Sequence, residues 1–371
     1  MEGEVESGET MVILDSKGQF LARGAYSPNS QIRVRVWSWD SQQIIGEQFF
    51  RRRLRQAIAF RQSGIFPQST LDTLQSAFRL VHGESDGLPG LIVDRYGDTL
   101  VMQCLSTGPE HWRETLADLL LELTGAENIY ERSDADVRAL EGLPPRVGVV
   151  RGKEPPERLQ ITENGLTFWV DLRRGHKTGF YLDQCANRLR LRALASGREG
   201  LDCFCYTGGF TISALAGGAT SMMAVDSSGE ALALAQMNLV LNKPQERVEW
   251  VEGDVFQVLR SLRDRRRAFD LIVLDPPKFA PTVAQAERAA RGYKYINLLA
   301  LKLLRPNGIL VTFSCSGGIS EELFQKIVAG AALDAGVEAQ ILERLSQAPD
   351  HPVALNFPEG AYLKGLVVRV V

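Results

Sequence analysis

Two short runs hold the residues best suited to chemistry: Thr312-Phe313-Ser314-Cys315-Ser316-Gly317-Gly318 and Asp275-Pro276-Pro277-Lys278-Phe279. A thiol among small polar residues at the end of an apolar stretch is a candidate nucleophile, against the competing reading of a buried filler cysteine. Two prolines directly after a buried strand can neither continue a sheet nor donate hydrogen bonds. They form a stiff turn that aims Asp275 and the Pro277 carbonyl at one spot, which suits gripping a flat polar ring. A second set suits a nucleoside. The Gly208-Gly209 pair lets a ligand approach the backbone and meet free helix N–H groups. Asp226, followed by Ser227, ends the next apolar run, where a carboxylate can accept both ribose hydroxyl hydrogens. Asp254, before Val255, can take an adenine amino group while backbone N–H serves the ring. Each aspartate alone reads as readily as a helix cap. Their recurrence at successive strand ends favours a nucleoside site. The full Gly-x-Gly-x-x-Gly spacing of a dinucleotide site is absent, and Cys203-x-Cys205 has no second ligand pair, so no metal is expected.

These residues need rigid elements behind them. From about residue 173, apolar runs alternate with helical stretches: 200–206, 222–226, 248–254, 271–275, 308–314, 337–345 and 363–371 read as strands, with helices at 228–241 and 320–335. That alternation predicts an α/β architecture, a parallel sheet covered on both faces with ligands at the carboxyl ends of its strands. Residues 1–45 alternate apolar and polar positions between turn signals and read as a small β unit. Residues 46–80 begin with a basic helix, 46–62, carrying Phe49, Phe50, Leu54 and Ile58 among Arg51, Arg52, Arg53 and Arg55. Residues 81–172 form a turn-rich middle block with a strand at 91–94, a helix at 110–123, a loop over 142–156 and a strand at 166–172.

With 44% hydrophobic and 23% charged residues, the 371-residue chain is that of an ordinary globular protein of two to three domains. Lysine and arginine number 42 against 45 acidic residues, so attraction to nucleic acid must come from local patches. The acidic start, Met1 to Glu9, is unlike a signal peptide, and no run is long and apolar enough to span a membrane. A cytoplasmic protein with reduced thiols is expected, since five cysteines are an odd number, thinly spread.

Taken together, Leu201-Asp202-Cys203-Phe204-Cys205-Tyr206-Thr207-Gly208-Gly209-Phe210, the Asp-Pro-Pro-Lys-Phe turn and the Cys315 run are similar to the RlmI-type large-subunit (23S) ribosomal RNA cytosine-C5 methyltransferases. So are residues 175–184, 83–90 and 358–365, which makes the resemblance nearly chain-long. It implies a class I (Rossmann-like) methyltransferase sheet over 173–371 with its last strand antiparallel. It also implies a central α+β domain, an N-terminal PUA-like RNA-binding domain, and S-adenosylmethionine as cofactor. Carried over, Asp202, Phe204, Tyr206, Thr207, Gly208 and Gly209 hold the methionine end, Asp226 and Ser227 the ribose, and Asp254 and Val255 the adenine. Tyr181, Asp183 and Gln184 complete the cofactor set. Cys315 is then the nucleophile, and Asp275, Pro276, Pro277 and Lys278 the substrate side. This chain departs from the family pattern in two ways. It starts inside what would be the PUA-like domain's second strand, so that domain is expected to lack its first. It also has Cys185 where the family carries arginine, with Arg188 as a candidate substitute.

Under that resemblance the chemistry is constrained. Cytosine C5 is too weak a nucleophile unaided, so a thiolate must first add to C6, with Asp275 stabilising charge at N3 and the exocyclic amine. The base must be unpaired or flipped out. Large-subunit ribosomal RNA is the expected partner, gripped by Arg51, Arg52 and Arg55, by Arg265 to Arg267, and by Arg288, Arg291 and Lys294, though each run alone reads as solvated surface. Homodimerisation is left open. The competing functions are an N6-adenine methyltransferase, which leaves Cys315 without a task, and a non-catalytic RNA-binding assembly factor that keeps the fold.

Overall fold

The computed structural model describes residues 4–63, 76–242, 248–279 and 285–371, and among these no helix is long and apolar enough to cross a membrane. Part of the segment 46–80, residues 64–75, lies outside the described residues. The chain divides into two compact units, Met1–Leu182 with Pro349–Gly360, and Asp183–Ala348 with Ala361–Val371.

The first unit opens with an antiparallel meander, β1 (Thr10–Leu14), β2 (Phe20–Tyr26) and β3 (Val34–Ser38). Helix α1 (Glu47–Gln62) follows, burying Phe49, Phe50, Leu54, Ala57 and Ile58 at helical spacing. Trp37 of β3 meets Phe50 edge-on at 5.2 Å between ring centroids, so the meander and the helix share one core.

A second sheet runs in the order β4 (Ala77–His82), β5 (Leu91–Tyr96), β6 (Thr99–Cys104), β7 (Asn128–Ser133), β8 (Arg146–Arg151). Only β6 and β7 pair in parallel. The expected helix at 110–123 is two helices, α2 (Thr107–His111) and α3 (Arg113–Thr124), broken at Trp112. The short α4 (Val137–Leu140) precedes β8. The loop expected over 142–156 in fact contains β8, paired antiparallel with β7. Its proline- and glycine-rich flanks mask three valines that favour the pleated conformation. A hairpin of β9 (Leu159–Glu163) and β10 (Leu166–Val170) turns through Asn164 and Gly165, both left-handed.

The second unit is the alternating part of the sequence. Helix α5 (Cys185–Leu194) leads into β11 (Glu199–Cys203), α6 (Gly209–Ala216), β12 (Ser221–Asp226), α7 (Gly229–Asn242) and β13 (Val248–Glu252). Then come α8 (Val255–Asp264), β14 (Phe269–Leu274), α9 (Ala286–Leu303), β15 (Leu304–Ser314), α10 (Glu321–Ala335), β16 (Ala339–Leu345) and β17 (Lys364–Val370). The sheet order is β13-β12-β11-β14-β15-β17-β16, with β17 antiparallel to both neighbours. Alternate residues of β14 serve opposite cores, Ile272 and Leu274 on one face, Leu271 and Val273 on the other. The order reverses between β11 and β14, so the crevice for a ligand opens at their carboxyl ends.

The first unit depends on a buried network. Arg79 grips Asp94 with two nitrogens, at 2.7 and 2.8 Å, while Thr178 donates to Asp94 at 2.6 Å and pairs with the Tyr96 hydroxyl at 2.9 Å. Replacing Asp94 with alanine strands a largely buried guanidinium and two hydroxyls, and is expected to lower stability by about 3 kcal/mol. Urea unfolding checks this; a midpoint equal to that of the parent protein would refute it.

Candidate active site

The cofactor half is built on the turn after β11, a sharp one. Phe204, Tyr206 and Gly208 all have positive φ, at 64°, 48° and 81°. Two of the three are aromatic residues that ordinarily avoid this region, so neighbouring bonds must hold the turn. Cys205 N–H donates to Val225 O at 3.0 Å, Gly208 N–H to Cys205 O at 2.8 Å, and Tyr206 N–H to Asp226 Oδ2 at 2.8 Å. Asp226 thus fixes the glycine turn, and its Oδ1 accepts from Ser228 N–H at 2.9 Å. Ser227 between them is exposed. Helix α6 starts at this turn with Gly208, which has no side chain to cap it, as its N-cap, and the Thr211 N–H of its first turn is taken by the Asp202 carboxylate instead. A Cβ on Gly209 would stand 3.0 Å from Arg188 Cδ, so glycine keeps the floor clear.

Asp202 lies fully buried beneath. Its Oδ2 accepts from Thr211 N–H and Oγ1–H at 3.0 and 2.7 Å, whereas its Oδ1 and the buried Thr207 Oγ1 have no partner among the described residues. Burial, reinforced by the charge of Asp226, pushes the Asp202 carboxyl up to about 7. An unmatched acceptor on such a carboxyl is the complement of an α-ammonium group. Asp254 caps α8, accepting from Gln257 N–H at 2.9 Å, and is exposed, while Val255 behind it is buried in the core.

Gln184, expected on the cofactor side, sends its amide N–H to Asp275 Oδ1 at 3.0 Å and accepts from Asn187 at 2.6 Å. Asp183 accepts from the Tyr362 hydroxyl at 2.8 Å. Tyr181 belongs to the first unit, where its hydroxyl lies 3.2 Å from His176 Nδ1 and its ring 5.8 Å from Lys177 Nζ.

The substrate half joins the ends of β14 and β15. Ser316 Oγ receives Phe279 N–H at 3.1 Å and pairs with the Tyr293 hydroxyl at 2.9 Å, fastening the double-proline turn to the cysteine run. Cys315 Sγ lies 4.0 Å from the Pro276 carbonyl oxygen. Pro276 is buried, Pro277 and Lys278 are exposed. Burial, then the charges of Asp183 and Asp202, push the Asp275 carboxyl up to about 7, eased by Arg188, whose guanidinium lies 6.0 Å from the Phe210 ring centroid. Of the five cysteines, Cys104, Cys185, Cys203 and Cys205 are buried and only Cys315 is partly exposed. Burial raises the Cys203 and Cys205 thiols well above their ordinary range, which suits packing. Sequence reasoning overlooked Lys364 and Tyr293; the signal for Lys364 was a charge at the start of the apolar run 364–368.

Residues 144–369 match the model of the S-adenosylmethionine-dependent methyltransferase family, and residues 1–39 that of a PUA-like domain. The chain belongs to the S-adenosylmethionine-dependent methyltransferases. Ribosomal RNA large subunit methyltransferase I of Tolumonas auensis is 54% identical over 100% of this chain and 93% of the relative. The protein of that name in Escherichia coli O139:H28 is 50% identical over the same shares. In fold, the chain is similar to a Streptococcus mutans protein assigned as such a methyltransferase (TM-score 0.85, 20% identity, 99% of this chain and 93% of that one). It also resembles a protein assigned as a methyltransferase and solved with S-adenosylhomocysteine (TM-score 0.85, 22% identity, 98% and 92%). S-adenosylmethionine is the cofactor of this methyltransferase, and the unmatched Asp202 oxygen at the start of α6 fits the ammonium of its amino-acid end.

The arginines expected to meet RNA fall into two groups. In the first unit, Arg51, Arg52 and Arg55 line a groove of about 340 Å³ on α1; Arg51 pairs with Glu47 and Glu122, and Arg52 lies 5.7 Å from the Phe49 ring centroid. In the second, Arg291 pairs with Glu287 at 2.6 Å and Lys294 with Asp334 at 2.8 Å, while Arg288 is exposed without an ion pair among the described residues.

The raised Asp275 carboxyl sets a pH dependence. Its value in the folded protein, about 7, exceeds the ordinary 3.8, so the native state holds the extra proton between the two. The stability this represents is present below pH ~4 and lost as pH rises through ~7. Asp275→Asn cannot ionise and keeps an acceptor for Gln184. At pH 8 it is expected to be more stable than the parent by about 2 kcal/mol, with the difference closing toward pH 4. Chemical denaturation at the two pH values measures this; parallel curves at both would contradict it.

Proposed function

We propose that this methyltransferase modifies C5 of a cytosine in large-subunit ribosomal RNA through a transient bond from Cys315 to C6. The observation that carries the reading is Cys315 itself, the one cysteine not buried, beside the Pro276 carbonyl and at the strand end next to Asp275. The names of the relatives at 50% and 54% identity support ribosomal RNA as the substrate. When bound, S-adenosylmethionine supplies an electrophilic methyl group. Asp202 and the start of α6 hold its amino-acid end, Asp226 and Ser227 the ribose, and Asp254 and Val255 the adenine.

The chain's own residues do the rest. The Cys315 thiolate adds to C6, which converts C5 into an enamine carbon able to take the methyl group. Asp275, poised near neutrality, donates its proton toward N3 as negative charge grows on the ring; once C5 carries the methyl group, the C5 proton passes to water, the thiolate is expelled from C6, and N3 returns its proton to Asp275. The double proline, with Lys278 after it, keeps that carboxyl aimed at the base. The target nucleotide is unpaired or flipped, since a helix hides C6 from in-line attack.

RNA is held beyond the base by the PUA-like domain, residues 1–45, with the basic segment 46–80, by Arg51, Arg52 and Arg55, and by Arg288, Arg291 and Lys294 on α9. Residues 81–172 are the central domain and 173–371 the catalytic one. The protein acts in the cytoplasm, where that RNA is found.

The test is transfer of labelled methyl groups to unmodified large-subunit ribosomal RNA, followed by nucleoside analysis. Label is expected in 5-methylcytidine, and Cys315→Ala should cut the rate by at least ~10³-fold. Label in N6-methyladenosine, unaffected by that substitution, would favour amine methylation instead. In the same assay, Arg52→Glu with Arg55→Glu is expected to raise KM for RNA about tenfold with little change in kcat, and more so at low salt. An unchanged KM would remove α1 from the RNA-binding face.

A further inference from the structure

Lys364 is the first residue of β17, the strand inserted antiparallel into the sheet, and it pairs in register with Ser314, the residue before Cys315. Its side chain is 7% exposed. Its ammonium donates to the carbonyl oxygens of Ser316 and Tyr362, both at 2.8 Å, and no carboxylate lies within ion-pair distance of it among the described residues. Two neutral carbonyls do not neutralise a cation, and a charge so far out of water is costly unless an opposite charge meets it. The surrounding groups leave one candidate. Tyr293 comes from α9 and is tied to Ser316, Lys278 from the turn after β14 carries the same sign, and Cys315 comes from β15.

We propose that Lys364 is the positioning residue for the nucleophile: its ammonium, clamped across the cysteine turn by the Ser316 carbonyl, is the counter-charge of the Cys315 thiolate. The inference rests on the reading of Cys315 as nucleophile, but it concerns the ionisation of the thiol and needs neither RNA nor cofactor to be tested. Burial draws the Lys364 ammonium down and a charge on Cys315 draws it back up, the reciprocal of the same attraction. Lys278 contributes less to this pairing because it is exposed and solvated.

The experiment is the pH dependence of Cys315 alkylation by iodoacetamide in the full-length protein, read as modified Cys315 peptide by mass spectrometry; the four other thiols are buried and react slowly. The parent protein is expected to show a midpoint below the ordinary thiol value of ~8.5. Lys364→Met should raise that midpoint by about one unit, cutting the alkylation rate at pH 7 roughly tenfold, and Lys364→Arg should restore most of it. The acid limb of kcat/KM should move the same way. A parent midpoint at or above ~8.5 overturns the proposal whether or not any variant folds, as does a Lys364→Met protein that melts like the parent with an unshifted midpoint. If Cys315→Ala still yields 5-methylcytidine, the covalent route fails while the alkylation profile continues to decide the charge pairing.

Discussion

Carboxyl groups crowd the place where the strand order reverses. Asp202 lies one residue before the end of β11, Asp275 follows β14, and the charges of Asp183 and Asp202 both act on Asp275. Elsewhere in the chain, buried carboxylates meet guanidinium groups: Asp94 meets Arg79, Asp86 meets Arg61, and Glu131 meets Arg113. At the crevice, Asp202 and Asp275 instead receive uncharged donors from Thr211 and Gln184. Such donors orient a carboxyl group without neutralising it, so repulsion and burial remain to hold both near a pKa of 7. The cost falls on the stability of the second unit and is offset by the cores on both faces of its sheet. What it leaves is a pair of carboxyl groups whose ionisation responds to any charge brought near them.

The strained turn after β11 follows from the same constraint. A chain leaving the sheet beside a buried carboxyl must clear it at once, and three left-handed residues in five make that bend. Asp226 anchors it by taking the Tyr206 N–H, which ties the end of β12 to the end of β11. One carboxylate thus holds two backbone N–H groups, one on each oxygen, from the turn after β11 and the turn after β12. Preorganisation of this kind lowers the ordering cost that binding would otherwise meet.

Much of this was legible in the sequence, and the reason is periodicity. The central strands of the second unit, such as β14 and the second half of β15, are buried on both faces, so they stand out as continuous apolar runs ending beside Asp275 and Cys315. Basic helix α1 was equally plain from its aromatic and leucine spacing. Strand β8 was not, because it is an edge strand with exposed valines and a glycine at φ 146°. The break at Trp112 was hidden as well, since nothing at that position is a helix breaker and tertiary packing of its ring, 4.9 Å from Phe50 between centroids, decides the local path. In the site, the double proline and the glycine pair announce themselves by composition. Gln184's bond to Asp275 spans 91 positions and leaves no local trace.

Lys364 shows the limit most clearly. Read locally, a lysine opening the run Lys364-Gly365-Leu366-Val367-Val368 is an ordinary polar strand end. Only the insertion of β17 between β15 and β16 brings it under the cysteine turn, and only the antiparallel direction puts its first residue, not its last, at the carboxyl end of β15. Gly365 then has to be glycine, since a Cβ there would lie 2.6 Å from the Phe313 ring, and that close approach seats the strand against β15. The direction of one strand thus decides which residue stands behind Cys315. Run parallel in the same slot, this strand would present Val370 there in place of Lys364, and the ammonium would lie at the far edge of the sheet.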